Sequence, residues 1–214
     1  MTGVDMWVSS GAALGTWERP ECLNDVMATL GIPTPLSHLV ERTCGGHAER
    51  VGLLASRIAF LLNVDVELAL IAGYLHDVGK VGVCPSVLNK PGPLTALERQ
   101  AMQHHAAYGA QLVRERWPGV PAEVVTAVLR HHERLDGQGY PGGQTELDPL
   151  SAVVAVADIY DALTQPRVYR PWVLTGPELV QALFAQALPR APMVALCSLV
   201  GLRLPEERVH LQVG

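Results

Sequence analysis

A chain of 214 residues, 49% of them apolar, can bury a substantial core in one or two domains, and this composition excludes general disorder. A net charge of −5 and a pI near 5.9 exclude a broad basic surface for a nucleic-acid polymer, but leave room for a local basic pocket that takes a phosphorylated small molecule. No apolar stretch approaches the ~18 residues that span a bilayer, so no membrane insertion is expected.

The opening MTGVDMWVSSGAALGTW lacks the basic start of a signal peptide, and Cys22, Cys44, Cys84 and Cys197 form no CxxC pair. Buried or free thiols in a reducing compartment are the simplest reading, with the cytoplasm as the expected location. Residues 1–36 carry scattered Gly and Pro and end in GIPTPL, which reads as an extended or turn segment, an N-terminal arm or cap. From there the pattern is helical. Val51, Leu54, Ile58 and Leu61 recur at helical spacing and give one apolar face. VELALIAGYLHDV follows, with Asn63 or Asp65 as its cap, and then a loop containing VGVCPSVLNKPGPL. Thr95 and Glu98 form a capping-box pattern that opens a helix reaching about Trp117. Pro118 stops it, and Pro121 suits the first turn of another helix running to about Glu133. After a glycine-rich loop, PLSAVVAVADIYDALTQ is long enough to favour a buried helix over a buried strand. GPELVQALFAQAL and APMVALCSLVGL are two further helix candidates, separated by Pro189 and Pro192. No segment alternates with period two for long, and no internal repeat or low-complexity tract is present. The fold class is all-α.

Eight histidines matter by position more than by number. On the helix opened by Thr95, the stripe Leu97, Ala101, His105, Tyr108, Leu112 places His105 among apolar neighbours. His104 lies about 100° around the helix and need not point inward. On the next helix, Val125, Val128, Leu129 and His132 share a face, with His131 beside it. His76 and Asp77 end an apolar helix, where a buried pair needs compensation for its polarity. Asp158 and Asp161 interrupt an apolar run three residues apart and so share a helical face. Imidazoles and carboxylates drawn from separate helices are a ligand set that suits a divalent metal. A structural salt-bridge network accounts for the aspartates but not for so many inward histidines.

Four segments, HDVGKVGVCPSVLNKPGPLT, MQHHAAYGAQL, HHERLDGQGYPGG and AVADIYDALTQPRVYR, closely resemble in order and spacing the HD-GYP domain, a bacterial branch of the HD phosphohydrolase superfamily. The resemblance covers about residues 45–172. A lone HD dipeptide is weak evidence, whereas HDxGK followed at distance by HHERxDGxGYPxG is highly specific. The resemblance implies an HD-domain helical bundle with the HD-GYP loop and extra C-terminal helices. Residues 1–36 would be the arm or cap, 37–172 the catalytic core, and 173–214 a helical extension packed on it.

Members of this family are metal-dependent phosphodiesterases that hydrolyse cyclic di-GMP to pGpG or on to GMP, and some act on related cyclic dinucleotides. Carried over residue by residue, the resemblance makes His47, His76, Asp77, His105, His131, His132 and Asp158 metal ligands. Asp77 would bridge two ions, and His105 rather than His104 takes the family position because it stands four residues before Gly109. Lys80 matches the lysine that holds a phosphate oxygen; Asp77 and Lys80 are thus the catalytic pair. Arg167, Arg170 and Tyr140 match positions that face substrate, with exposed arginines and a packing role for Tyr140 as the plainer readings. The implied cofactors are two divalent ions, iron or manganese, about 3.5–4 Å apart, which activate an attacking hydroxide and clamp the phosphoryl oxygens.

The sequence departs from the family in two places. Thr43 stands where some members carry a glutamate that supports a third metal, so two ions are expected, although Asp161 matches another residue of that third position. The family's H-F-D-P segment is replaced by the proline-broken APMVALCSLVGL. The first 36 residues are too few for a typical sensory domain, so regulation is expected through a signalling partner, a homodimer or substrate supply. Glu133 and Asp136 stay unassigned, with Glu133 either orienting a ligand histidine or facing solvent. The alternative to an enzyme is a catalytically weak HD-GYP signalling module that binds a cyclic dinucleotide or a protein partner; the full set of core ligands favours the enzyme. A hydrolase for another phosphoester is disfavoured by the intact glycine-tyrosine-proline loop.

Overall fold

The computed structural model describes residues 23–166 and 172–204, and among these it contains helices and turns but no strand, in agreement with the all-α expectation. Helices α1 (Leu23–Thr29) and α2 (Thr34–Thr43) correct the reading of the first segment, since its described part is largely helical. The prolines of GIPTPL start a helix here rather than prevent one. Pro33 is the extended N-cap of α2, and Pro35 sits in its first turn, where a missing N–H costs nothing. Met27, Leu36 and Val40 from these helices are buried in the core.

Helix α3 (Gly46–Leu62) buries Val51, Leu54 and Ile58 as its spacing predicts, but Leu61 is 48% exposed and Leu62 packs inward instead. Asn63 closes α3 in the left-handed region (φ 54°), and Asp65 caps α4 (Val66–Leu75) by accepting from the Leu68 amide at 2.9 Å. Every residue of α4 from Ala69 to Leu75 is buried. It packs against α3, α7 (Ala122–Arg130) and α8 (Pro149–Thr164), which makes it the central helix. The stretch read as a loop after His76 and Asp77 holds a 3-10 helix (Val78–Gly82) and the single turn α5 (Pro85–Leu88).

Helix α6 (Ala96–Arg116) begins with the expected capping box and ends at Trp117. Its predicted stripe holds only from His105 onward, because Leu97 is 79% exposed and Ala101 is exposed as well. Helix α7 stops at Arg130, short of the expected Glu133, with His131 as its C-cap. Helices α9 (Gly176–Phe184) and α10 (Arg190–Leu199) follow α8. Pro192 lies in the first turn of α10 and does not break it. Helix α10 packs against α3 and α8. Cys44, Cys84 and Cys197 are free thiols, and Cys22 lies outside the described residues. Among the described residues no helix is long and apolar enough to cross a membrane.

Gly79 sets how closely the 3-10 helix lies on α6. A Cβ there would meet the His105 carbonyl oxygen at 2.0 Å and the Gly109 nitrogen at 2.5 Å. Both neighbours are backbone and cannot rotate away. Gly79→Ala is therefore expected to cost roughly 3 kcal/mol and to lower the melting temperature by about 10 °C. A thermal melt matching wild type would show that the two segments are not in this register.

Candidate metal centre

Five helices each deliver part of one cluster. His47 lies in the first turn of α3, His76 and Asp77 at the end of α4, His105 midway along α6, His131 and His132 just past α7, and Asp158 on α8. His76, Asp77, His105, His131 and Asp158 are all buried, although each carries a polar or charged group. Their ligand atoms fall into two sets: Asp77, His105, His131 and His132 form one, and His47, His76 and Asp158 the other. Within each set the atoms lie within 4.8 Å of one another. His104 is exposed on α6, as its offset of about 100° from His105 predicts.

Backbone carbonyls orient three of the imidazoles. The Nδ1 of His76 lies 2.6 Å from the Gly73 oxygen, that of His105 2.7 Å from Met102, and that of His131 2.8 Å from Val128. A carbonyl can only accept, so each Nδ1 must donate, and in the neutral ring each Nε2 then presents a lone pair inward. The Nε2 atoms of His105 and His131 face one another at 3.5 Å. His47 Nε2, His76 Nε2 and Asp77 Oδ1 are buried without a hydrogen-bond partner. Lone pairs converging in this way, with carboxylates among them, are the donor set that a divalent cation satisfies.

Asp77 joins the two sets. Its Oδ1 lies 3.1 Å from His105 Nε2 and 4.0 Å from His131 Nε2. Its Oδ2 lies 3.4 Å from His47 Nε2 and 3.3 Å from His76 Nε2, and also pairs with the Lys80 ammonium. Asp158 Oδ1 stands 3.3 Å from His47 Nε2 and 3.7 Å from His76 Nε2.

Burial holds His131 well below the usual histidine range and brings His132 down to about 3, so both are neutral, as metal binding requires. For His47, burial opposes protonation, but the carboxylates of Asp158, Asp161 and Asp77 outweigh it and push the pKa up to about 11. For His76, burial is likewise outweighed, by Asp77 and Asp158, and the pKa rises to about 9. A cation and a proton thus compete for the same lone pairs, and metal loading displaces protons. Asp77 and Asp158 stay ionised. Burial would raise both, but Lys80 and His76 beside Asp77, and His47 and His76 beside Asp158, hold them well below the carboxylate range.

The glycine loop folds back over this cluster. The Tyr140 ring stacks on His132 with centroids 4.5 Å apart, and its amide donates to the His132 carbonyl at 3.2 Å. Gly139 allows this: a Cβ there would meet the Arg134 nitrogen at 2.4 Å. The close approach made by this glycine is thus to the loop's own chain. Glu133, left open between two readings, is 1% exposed and turns to the loop. Its Oε1 accepts from the Gly142 amide at 2.6 Å and its Oε2 from the Gln144 amide at 2.8 Å. Arg134, which sequence reasoning missed, donates through Nη1 to the His131 and Glu133 carbonyls. The signal for Glu133 was there to be read, since a glycine-rich loop carries amides that need acceptors. Asp136 is exposed and makes a local turn through the Gln138 amide. Arg167 and Arg170 lie outside the described residues.

Comparison with known proteins places this geometry. The family model described as HD domain matches residues 33–183. A 3'3'-cGAMP-specific phosphodiesterase of Vibrio cholerae is 38% identical over 154 residues, 68% of this chain and 28% of its own length. A cyclic di-GMP phosphodiesterase of Pseudomonas aeruginosa is 35% identical over 171 residues, 75% of this chain and 41% of its own. The chain therefore spans less than half of these curated relatives. Among solved structures, the HD domain of L. monocytogenes phosphodiesterase PgpH in complex with cyclic-di-AMP superposes with a TM-score of 0.61. At 17% identity over 78% of this chain and 94% of that one, it shares the fold.

Proposed function

The chain belongs to the HD domain family, and we propose that it is a metal-dependent phosphodiesterase that hydrolyses cyclic di-GMP to pGpG, with GMP as a further product. The observation that carries this reading is the pair of ligand sets joined by the single carboxylate of Asp77. When bound, two divalent cations would activate the attacking water and draw charge from the phosphodiester oxygens. His105, His131 and His132 would hold one of them, His47, His76 and Asp158 the other, and Asp77 both. Iron or manganese suits this mixture of imidazole nitrogen and carboxylate oxygen.

Lys80 supplies a fixed positive charge. Burial works against its protonation, but Asp77 and Asp158 keep it a cation, ready for a phosphate oxygen that gains charge during the reaction. Tyr140, stacked on His132, forms a wall that limits water on that side of the site. Arg167 and Arg170 are assigned to substrate phosphate or base. Residues 37–172 are taken as the catalytic core, with 173–214 as a helical extension. A second substrate reading, 3'3'-cGAMP, is favoured by the specificity named for the V. cholerae relative.

Metal analysis of anaerobically purified protein, paired with turnover of both dinucleotides, tests the proposal. The expected result is two metals per chain and release of pGpG from cyclic di-GMP. Tight nucleotide binding without turnover, in either iron or manganese, would instead identify a binding module.

A further inference from the structure

His47 differs from the other inward histidines in how its ring is held. His76, His105 and His131 each donate Nδ1 to the carbonyl three residues earlier. His47 stands in the first turn of α3, and its Nδ1 pairs with a side chain instead of a backbone carbonyl. That side chain is Asp161, with Oδ2 2.7 Å from Nδ1.

Asp161 in turn is 4% exposed and needs a counter-charge. Arg50, one turn beyond His47, supplies it as a fork: Nε donates to Oδ1 at 2.5 Å and Nη2 to Oδ2 at 3.0 Å. Both Asp161 oxygens are thereby engaged. Thr43, which stands where some members of the family carry a glutamate, turns its hydroxyl into its own helix and donates to the Leu39 carbonyl at 2.7 Å.

We infer that Arg50 is a positioning residue. By fixing Asp161 it aims His47 Nε2 at one of the two cations, and it closes the place where a third would bind. This inference rests on the two-metal reading above. Arg50 bonds Asp161, which belongs to neither ligand set but holds only His47, so its effect should reach one cation and spare the other.

The test is a Mn2+ titration of the metal-free 214-residue chain, with folding checked by thermal melts. Arg50→Gln is expected to weaken one of two Mn2+ ions by about 10–100-fold and to leave the other unchanged. Arg50→Lys, which keeps the charge but loses the fork, should recover part of that loss. Asp161→Asn should weaken the same ion, and adding Arg50→Gln to it should cost nothing more, because the two act in series. Additive losses, equal weakening of both ions, no effect of Arg50→Gln, or a third Mn2+ in wild type would each overturn the inference while leaving the metal reading intact. A wild-type chain that bound neither Mn2+ nor Fe2+ would overturn both.

Discussion

Asp77→Asn is expected to strip the chain of both cations and abolish turnover while leaving it folded. Among the described residues, Asp77 is the one side chain whose two oxygens face different ligand sets, Oδ1 toward His105 and His131 and Oδ2 toward His47 and His76. Asparagine keeps the shape and one acceptor, but it loses the charge and replaces an oxygen with an amide that cannot ligate. The loss should exceed the ~10–100-fold typical of removing a partner of a metal ligand, because both ions depend on this group. The amide can donate to a neighbouring imidazole lone pair while the remaining oxygen accepts from Lys80, so the metal-free variant should melt within a few degrees of metal-free wild type. His104→Ala supplies the contrast. It lies next to His105 but is exposed, and should keep metal and activity. Asp77→Asn with two tightly held metals, or equal losses at His104, would show that the centre is not the one assembled here.

Much of the core and the inward turn of His105 were legible from periodicity because they depend on local geometry, whereas His47 and the ligand roles came only with the family resemblance. The 100° step between adjacent helical residues separates His105 from His104, and three-residue spacing places Asp158 and Asp161 on one face of α8. What could not be read depends on where elements end or on contacts across the chain. The prolines in GIPTPL are consistent with a break or with a helix start, and only the flanking packing of Met27 and Leu36 decides. An apolar stripe does not say where a helix leaves the core, so Leu97 looks inward in sequence and is exposed in the fold. Arg50 and Asp161 are 111 residues apart, and nothing local marks them as partners.

Glu133→Ala should damage the site although Glu133 belongs to neither ligand set. The carboxylate is buried and accepts from two loop amides, those of Gly142 and Gln144. Removing it leaves both donors without a partner in a half-buried place, at about 1–3 kcal/mol each, and a melting-temperature loss of several degrees should follow. The larger consequence is for Tyr140. Its seat on His132 depends on a loop that Glu133 ties down on one side and Gly139 presses against residues 132–134 on the other. With one tie gone, the ring should leave His132, and turnover should fall about 10–100-fold, with weaker retention of the cation held by His131 and His132. Glu133→Gln separates this from a general loss of stability. Glutamine keeps the volume and one acceptor but sets its own N–H against the second backbone N–H, so metal retention and turnover should lie between wild type and Glu133→Ala. If Glu133→Ala lowered the melting temperature yet left metal content and turnover at wild-type levels, the carboxylate would be a pin for the fold alone, and the stacked tyrosine would have no part in holding the centre.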